Sequence, residues 1–358
     1  MGRKDAQRTK GNTKAASSAR SAQQLGDNVG FVGFGTSTES GFVPLLQGAD
    51  VDDGVPGDFR LALRKMHKKD VTTKVKALQE FIELAENSDG ESTMTAVLPY
   101  WPSVYNKLAT DTDRRVRELA HSALSLVIKG VGRGLAPHLK ALVGAWFLGQ
   151  ADPHTQAAAA ATAAWEVAFP AAKQAGAIAF CQAEILSAVM ENLTFATAQT
   201  LSDPKTTPVE EMEAKYVRTL AMSLASLTRL LAAVRPPLDP KTLEPLLDHP
   251  RFWKFAKFKS GTVRQAFFEC IVQLGSSHPM CLEARGKLVV GAVLPNLHEV
   301  ELMPARAVWA AALQVNCAAS EYKYARREPD VGELRGGDHF AYIKHFFRIF
   351  FAHISFHL

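Results

Sequence analysis

The chain has 358 residues, of which 41 are basic, 36 acidic and 47% hydrophobic. At about 150 residues per domain, that length holds about two globular domains or one elongated array, and the ordinary apolar fraction excludes wholesale disorder. The net charge of +5 is local: residues 1–25 carry six bases (Arg3, Lys4, Arg8, Lys10, Lys14 and Arg20) against Asp5, and the rest of the chain balances at 35 and 35.

Residues 1–28 are rich in Arg, Lys, Ser, Ala and Gln, with almost nothing to bury, so a disordered basic arm is expected. There is no apolar run before residue 31, hence no secretory signal peptide is expected, and Ala6 stands where a myristoylation motif wants Ser or Thr. Gly30-Phe31-Val32-Gly33-Phe34-Gly35 and Gly41-Phe42-Val43-Pro44 read as a linear segment that docks on the following domain or on a partner. They are not a phosphate loop, because no strand precedes them and no Lys-Ser/Thr follows.

From Asp58 onward the apolar spacing is that of helices. Val75, Leu78, Ile82 and Ala85 form one stripe, and Val116, Leu119, Ala120, Ala123, Leu124 and Val127 form another. Ile178, Cys181, Ile185 and Val189 make a third, and Val217, Leu220, Leu224, Leu227 and Leu231 a fourth. Asp113 and Asp152 each open a helix, Asp152 as an N-cap with Pro153 behind it, and Glu210 and Glu211 suit a first turn after Pro208. Period-two alternation is nowhere sustained, so the chain is expected to be all-α. Val75-Lys76-Ala77, Val116-Arg117-Glu118 and Val263-Arg264-Gln265-Ala266 each fall early in the second helix of a pair. An acid followed by such a string near every 40 residues is the pattern of a HEAT or armadillo-like α-solenoid, with an irregular helical bundle as the alternative. The expected organisation is residues 1–57 as arm and Gly/Phe segment, 58–313 as repeats, and 314–358 as an atypical, poorly ordered tail. Six of the 20 phenylalanines crowd into the last 19 residues, a density that does not continue the repeats.

No catalytic constellation is visible: there is no Gly-x-Ser-x-Gly, His-Glu-x-x-His or phosphate loop. Cys181, Cys270, Cys281 and Cys317 are too scattered for a zinc knuckle, a RING or a redox pair, and read as buried thiols of an intracellular protein. His353 and His357 could share a helix face, but two ligands do not make a metal site. Gly130, Gly132 and Gly134 end a helix more plausibly than they bind a nucleotide. Seven bases (Arg60, Arg64, Lys65, Lys68, Lys69, Lys74 and Lys76) oppose only Asp70 between residues 60 and 76, and Arg114, Arg115 and Arg117 crowd one helix start. Between 251 and 259, four bases interleave with Phe252, Trp253, Phe255 and Phe258. Solvated faces would explain each cluster alone, and core packing the aromatics of the third; together with the arm they suggest attraction to phosphate backbones.

Particular strings resemble the listerin family. They begin with Met1-Gly2-Arg3-Lys4, Gln7-Arg8-Thr9-Lys10-Gly11-Asn12 and Gly30-Phe31-Val32-Gly33-Phe34-Gly35. Lys68-Lys69-Asp70-Val71-Thr72-Thr73-Lys74, Leu98-Pro99-Tyr100-Trp101-Pro102 and Asp113-Arg114-Arg115-Val116-Arg117-Glu118 follow in family order, then Ala177-Ile178-Ala179-Phe180-Cys181 and Leu201-Ser202-Asp203-Pro204. The resemblance runs to about Leu313. It implies a RING-type E3 ubiquitin ligase of ribosome-associated quality control, with a long solenoid that docks on the large ribosomal subunit and on a tRNA-binding quality-control factor in the cytosol. The family's zinc belongs to its RING, which also recruits the E2; these cysteines cannot form a RING, so no cofactor is expected here, and no membrane or small-molecule partner either. The expected contacts are Lys65, Lys68, Lys69, Arg114, Arg115 and Arg117. The alternative is a non-catalytic α-solenoid adaptor for protein partners.

Overall fold

The structure, a computed structural model, describes residues 54–87 and 91–325, with side chains to 314. The basic arm, the Gly/Phe segment, the phenylalanine-rich end and the His353/His357 pair lie outside the described residues. All described residues belong to one compact unit, and among them there is no strand.

Seventeen α-helices follow one another among the described residues: α1 Gly57–Met66, α2 Val71–Asn87, α3 Glu91–Val97, α4 Trp101–Ala109, α5 Arg114–Val131, α6 Leu139–Gly149, α7 Thr155–Ala168, α8 Ala171–Phe180, α9 Gln182–Thr194, α10 Ala198–Leu201, α11 Val209–Ala233, α12 Pro240–Leu247, α13 Pro250–Lys254, α14 Gly261–Ser277, α15 Pro279–Glu283, α16 Gly286–Val293 and α17 Leu302–Ala325. Their order makes six pairs, whose second helices (α2, α5, α7, α11, α14 and α17) begin at 71, 114, 155, 209, 261 and 302. The spacing near 40 holds at both ends and widens in the middle, where α8, α10 and the 25-residue α11 are inserted. Second helices stack in two runs, α2–α5–α7 and α11–α14–α17; α11 joins the first run through α9 and α6. This is the α-solenoid of the sequence reading: no pair hides its own stripe, so the core runs through the stack.

Local chemistry sets the boundaries. Asp113 caps α5, its Oδ1 accepting from the backbone N–H of Arg115 at 2.8 Å and Val116 at 3.2 Å. Gly132 closes α5 with φ 50°, the left-handed conformation glycine takes without strain. The Gly-x-Gly-x-Gly is therefore a helix end. Glu210 and Glu211 occupy the first turn of α11, after Pro208. Asp152 departs from its expected place: α7 starts at Thr155 with His154 as its cap, and the Asp152 carboxylate is turned to another partner. The stripe from Ile178 to Val189 is likewise broken at Cys181, between α8 and α9.

The core is continuous from Val55 to Ala312. A file of rings runs through its first third: Phe59 against Phe81 at 5.3 Å, Phe81 stacked on Trp101 at 4.9 Å, then Tyr105 and His121. Phe252 and Phe255 are buried, with Trp253 and Phe258 packed against the core, so the aromatics of the third basic cluster are structural. Close approach needs small residues. Ala157, Ala161 and Ala164 are fully buried on α7, which packs against α5, and a Cβ on Gly149 would lie 2.4 Å from the His121 ring. The last helix runs to Ala325 and so passes Leu313, where the repeats were expected to end. Its first half is anchored on α14 by Ala307, Val308, Ala311 and Ala312, and the Ala-containing stretch beyond costs little to keep helical.

Candidate functional site

The turns entering α2, α5 and α7 lie side by side because their helices stack in parallel, and a ladder of ion pairs registers them. Lys74 of α2 pairs with Asp111 in the turn before α5. Arg117 of α5 makes a two-pronged bond to Asp152 in the turn before α7, Nε to Oδ2 at 2.6 Å and Nη2 to Oδ1 at 3.1 Å. In the second run Arg264 of α14 reaches Glu299 at 2.6 Å and Glu301 at 2.7 Å, in the turn before α17. The partners are 37, 35 and 35 residues apart for Lys74–Asp111, Arg117–Asp152 and Arg264–Glu299. One repeat's base thus grips the next repeat's entry turn. The rung in the first repeat comes from Lys74, ahead of Val75, rather than from Lys76, which is exposed.

Beneath this edge α11 adds two further cations. Arg218 donates through Nη2 to the Asp111 carbonyl at 2.7 Å, and Lys215 through Nζ to the Leu201 carbonyl at 2.8 Å. Burial pulls the Lys215 amine down to about 8, against the pull of Asp111 and with the push of Arg218, Lys74 and Arg117. Arg218 is lowered to about 10, by burial first and then by Arg117. Four cations therefore converge on two carboxylates under the entry turns.

The six expected contact residues divide accordingly. Lys68 and Lys69 lie exposed in the turn before α2, and Arg114 and Arg115 are exposed at the start of α5. The Lys74–Asp111 rung ties these two turns together, so all four come to one edge of the stack. Lys69 is 3.5 Å from Asp203 and Arg115 3.5 Å from Asp113, yet their side chains stay 77% and 64% exposed. Lys65 is held at 2.7 Å by Glu80. Arg117 does not belong with them. It is 3% exposed, and besides Asp152 it donates to the carbonyls of Asp111 and Thr112 at 3.0 Å each. Its burial removes it from any contact surface, because a guanidinium locked between two repeats is out of a partner's reach. A signal for this was present, since Val116-Arg117 and Val263-Arg264 occupy equivalent repeat positions. Lys107 was missed by the sequence reading: it is exposed on α4 and close enough to His67, in the turn before α2, to join burial in lowering that imidazole.

Four exposed cations at one edge give a surface that attracts anions. Burial pushes the Cys181 thiol up to about 11 and Cys270 to about 12, and also raises Cys281, which keeps all three protonated near neutral pH. Among the described residues no group of three His, Cys, Asp or Glu could hold a metal ion, and no helix is long and apolar enough to cross a membrane. Two of the four bases of the third cluster are engaged in the fold: Arg251 donates to the carbonyls of Thr194 and Ala196, and Lys259 meets Glu213 at 2.7 Å.

Residues 51–326 match the family model described as E3 ubiquitin-protein ligase listerin, N-terminal domain. The chain is 42% identical over 323 residues to the E3 ubiquitin-protein ligase listerin of Gallus gallus and 43% identical over 323 residues to that of Mus musculus. In both cases the alignment covers 87% of this chain and 18% of the relative, so the chain spans less than a fifth of the length of the curated relatives it matches. The protein of that name in Drosophila melanogaster is 37% identical over 287 residues, 76% of this chain and 16% of the relative. Among solved structures, a designed armadillo repeat protein overlays with a TM-score of 0.33 at 15% identity, covering 71% of this chain and 98% of its own.

Proposed function

This chain belongs to the listerin family, to whose N-terminal domain it corresponds, and on that premise we propose that it is the ribosome-docking region of a cytosolic E3 ubiquitin ligase acting on stalled nascent chains. In this reading the solenoid binds the large ribosomal subunit and its tRNA-binding quality-control factor, and thereby positions a ligase centre that lies elsewhere in the whole protein. The four cysteines of this chain do not supply a RING, so recruitment of the E2 belongs to that other part.

The observation that carries the reading is the edge formed by Lys68, Lys69, Arg114 and Arg115, which puts four exposed cations in adjacent turns. Fixed cations in a row attract a phosphate backbone by releasing its counterions, without reading bases. The half-buried cations beneath them, Lys215 and Arg218, add to the local positive potential.

The test is co-sedimentation of the chain with purified large ribosomal subunits across a salt series, for the parent and for Lys68→Glu/Lys69→Glu/Arg114→Glu/Arg115→Glu. Parent binding should be saturable and fall steeply with salt, and the variant should bind at least about tenfold more weakly with a shallower salt slope. Lys254→Glu/Lys257→Glu, reversed at exposed positions of the third cluster, should bind like the parent. Equal pelleting of parent and edge variant would refute the edge as the docking surface, and salt-insensitive binding would favour an apolar protein adaptor instead.

A further inference from the structure

Two cations under the entry turns have no counter-charge. Lys215 and Arg218 stand three residues apart on α11 and so share a face of that helix. Both are half-buried, and neither forms an ion pair among the described residues. Glu211, one turn ahead of Lys215, is exposed and pairs with neither. The aspartates of the surrounding turns are already taken: Asp111 by Lys74, Asp152 by Arg117 and Asp203 by Lys69. Lys74, Arg117, Lys215 and Arg218 against Asp111 and Asp152 leave a surplus of two positive charges. Charge held partly out of water without a counter-ion is costly, so the fold carries an unmet demand for negative charge at this point.

Hydrogen-bond donors are in excess there too. Arg218 spends only Nη2, on the carbonyls of Asp111 at 2.7 Å and Thr110 at 3.5 Å, so Nε and Nη1 have no partner among the described residues. Lys215 gives one of its three N–H groups to the Leu201 carbonyl at 2.8 Å. The next residue, Ser202, is 6% exposed, and its Oγ is buried without a hydrogen-bond partner. Such an orphaned hydroxyl is rare in a folded chain and marks a place where a ligand completes the bonding. The turn that carries it is held on both sides, by Lys215 at Leu201 and by Lys69 at Asp203, 3.5 Å away. The spare groups are nitrogen donors and one hydroxyl, a set that suits an oxyanion and excludes a cation.

We infer that Lys215, Arg218 and the Ser202 hydroxyl form a binding site for a phosphate dianion, either inorganic phosphate or the terminal phosphate of a small ester. The dianion matches the surplus of two charges, and its oxygens can accept from the remaining Lys215 N–H groups, from Nε and Nη1 of Arg218 and from Ser202. A backbone phosphodiester carries a single charge and leaves half of that surplus unmet. The bound anion would tie α11 to the turns before α5 and α10–α11, stiffening the joint between the two runs. This inference is independent of subunit docking, which uses the exposed cations of the edge.

Thermal melting of the full chain at constant ionic strength tests it, with inorganic phosphate, methyl phosphate and dimethyl phosphate as probes against chloride. The dianions should raise the parent's melting temperature saturably, as a ligand of the folded state does, and dimethyl phosphate should not. Binding of inorganic phosphate alone would assign the free ion, and binding of methyl phosphate as well the ester, the dianion site standing in either case. Lys215→Met should weaken binding at least about tenfold through the loss of a charge-assisted hydrogen bond. Ser202→Ala removes a hydroxyl that has no partner to lose, so its melting temperature without phosphate should equal or exceed the parent's, while phosphate binds at least about threefold more weakly. A parent that melts identically in phosphate and chloride would overturn the site, and so would a phosphate response that survives in both variants. An equal response to dimethyl phosphate would overturn the dianion assignment.

Discussion

Arg117 and Asp152 are the pair on which the joint between two repeats turns, because both side chains are almost wholly removed from water, at 4% and 0% exposed. Removing one partner strands the other as a buried charge, so Arg117→Ala should lower unfolding free energy by about 3–5 kcal/mol. Arg117→Met/Asp152→Leu, which removes both charges, should recover most of that loss. Urea unfolding of the two variants measures the difference, and equal losses would refute the rung. A second residue sets a pH dependence. His121 is buried against Tyr105, its Nδ1 2.9 Å from the phenol oxygen, and burial lowers its pKa from 6.5 to about 4, with Asp152 opposing and Arg117 assisting. Between those values the unfolded chain takes up a proton that the folded chain refuses. Its contribution is therefore complete above pH 6.5 and lost as pH falls toward 4, by about 3 kcal/mol. His121→Gln should flatten that slope in unfolding curves recorded at pH 7 and pH 5. The neighbouring Gly149 has no room for a methyl group, so Gly149→Ala should displace the imidazole and destabilise by about 1–3 kcal/mol, read as a lower melting temperature.

At the scale of elements, the entry turns do two jobs with residues that look alike in sequence. Arg114, Arg115 and Arg117 are near neighbours, but the first two point into solvent and the third into the joint. Charge reversal separates them: Arg114→Glu/Arg115→Glu should weaken subunit binding and leave stability within about 0.5 kcal/mol of the parent, whereas Arg117→Glu should lower both. Measuring melting temperature beside binding distinguishes a lost contact from a lost fold. The helices themselves were readable from spacing, capping and turn residues, as Asp113, Pro208 and Gly132 show. Asp152 was not, since Asp152-Pro153 makes an acceptable helix start and only the base arriving from the previous repeat takes its carboxylate away. Cys181 misled for a related reason: α8 and α9 meet there in near-continuation, so one stripe spans two helices.

Over the whole molecule, reversing Lys68, Lys69, Arg114 and Arg115 should change the salt dependence of subunit binding and leave the melting temperature of the stack near the parent's. The amino-acid pattern alone fixes the class of fold, because apolar residues at three- and four-residue spacing, repeated near every 40, can be buried only by stacking helix pairs. It also determined the family, through strings that keep their order along the chain. Which charges remain available depends instead on how the repeats stack. A base on a helix start is solvated or locked according to whether the next repeat presents an acid to it, and that acid lies 35 residues away for Arg117. Residues next to Arg117 in sequence do not reveal so distant a partner, so the exposed edge became visible only once the repeats were stacked.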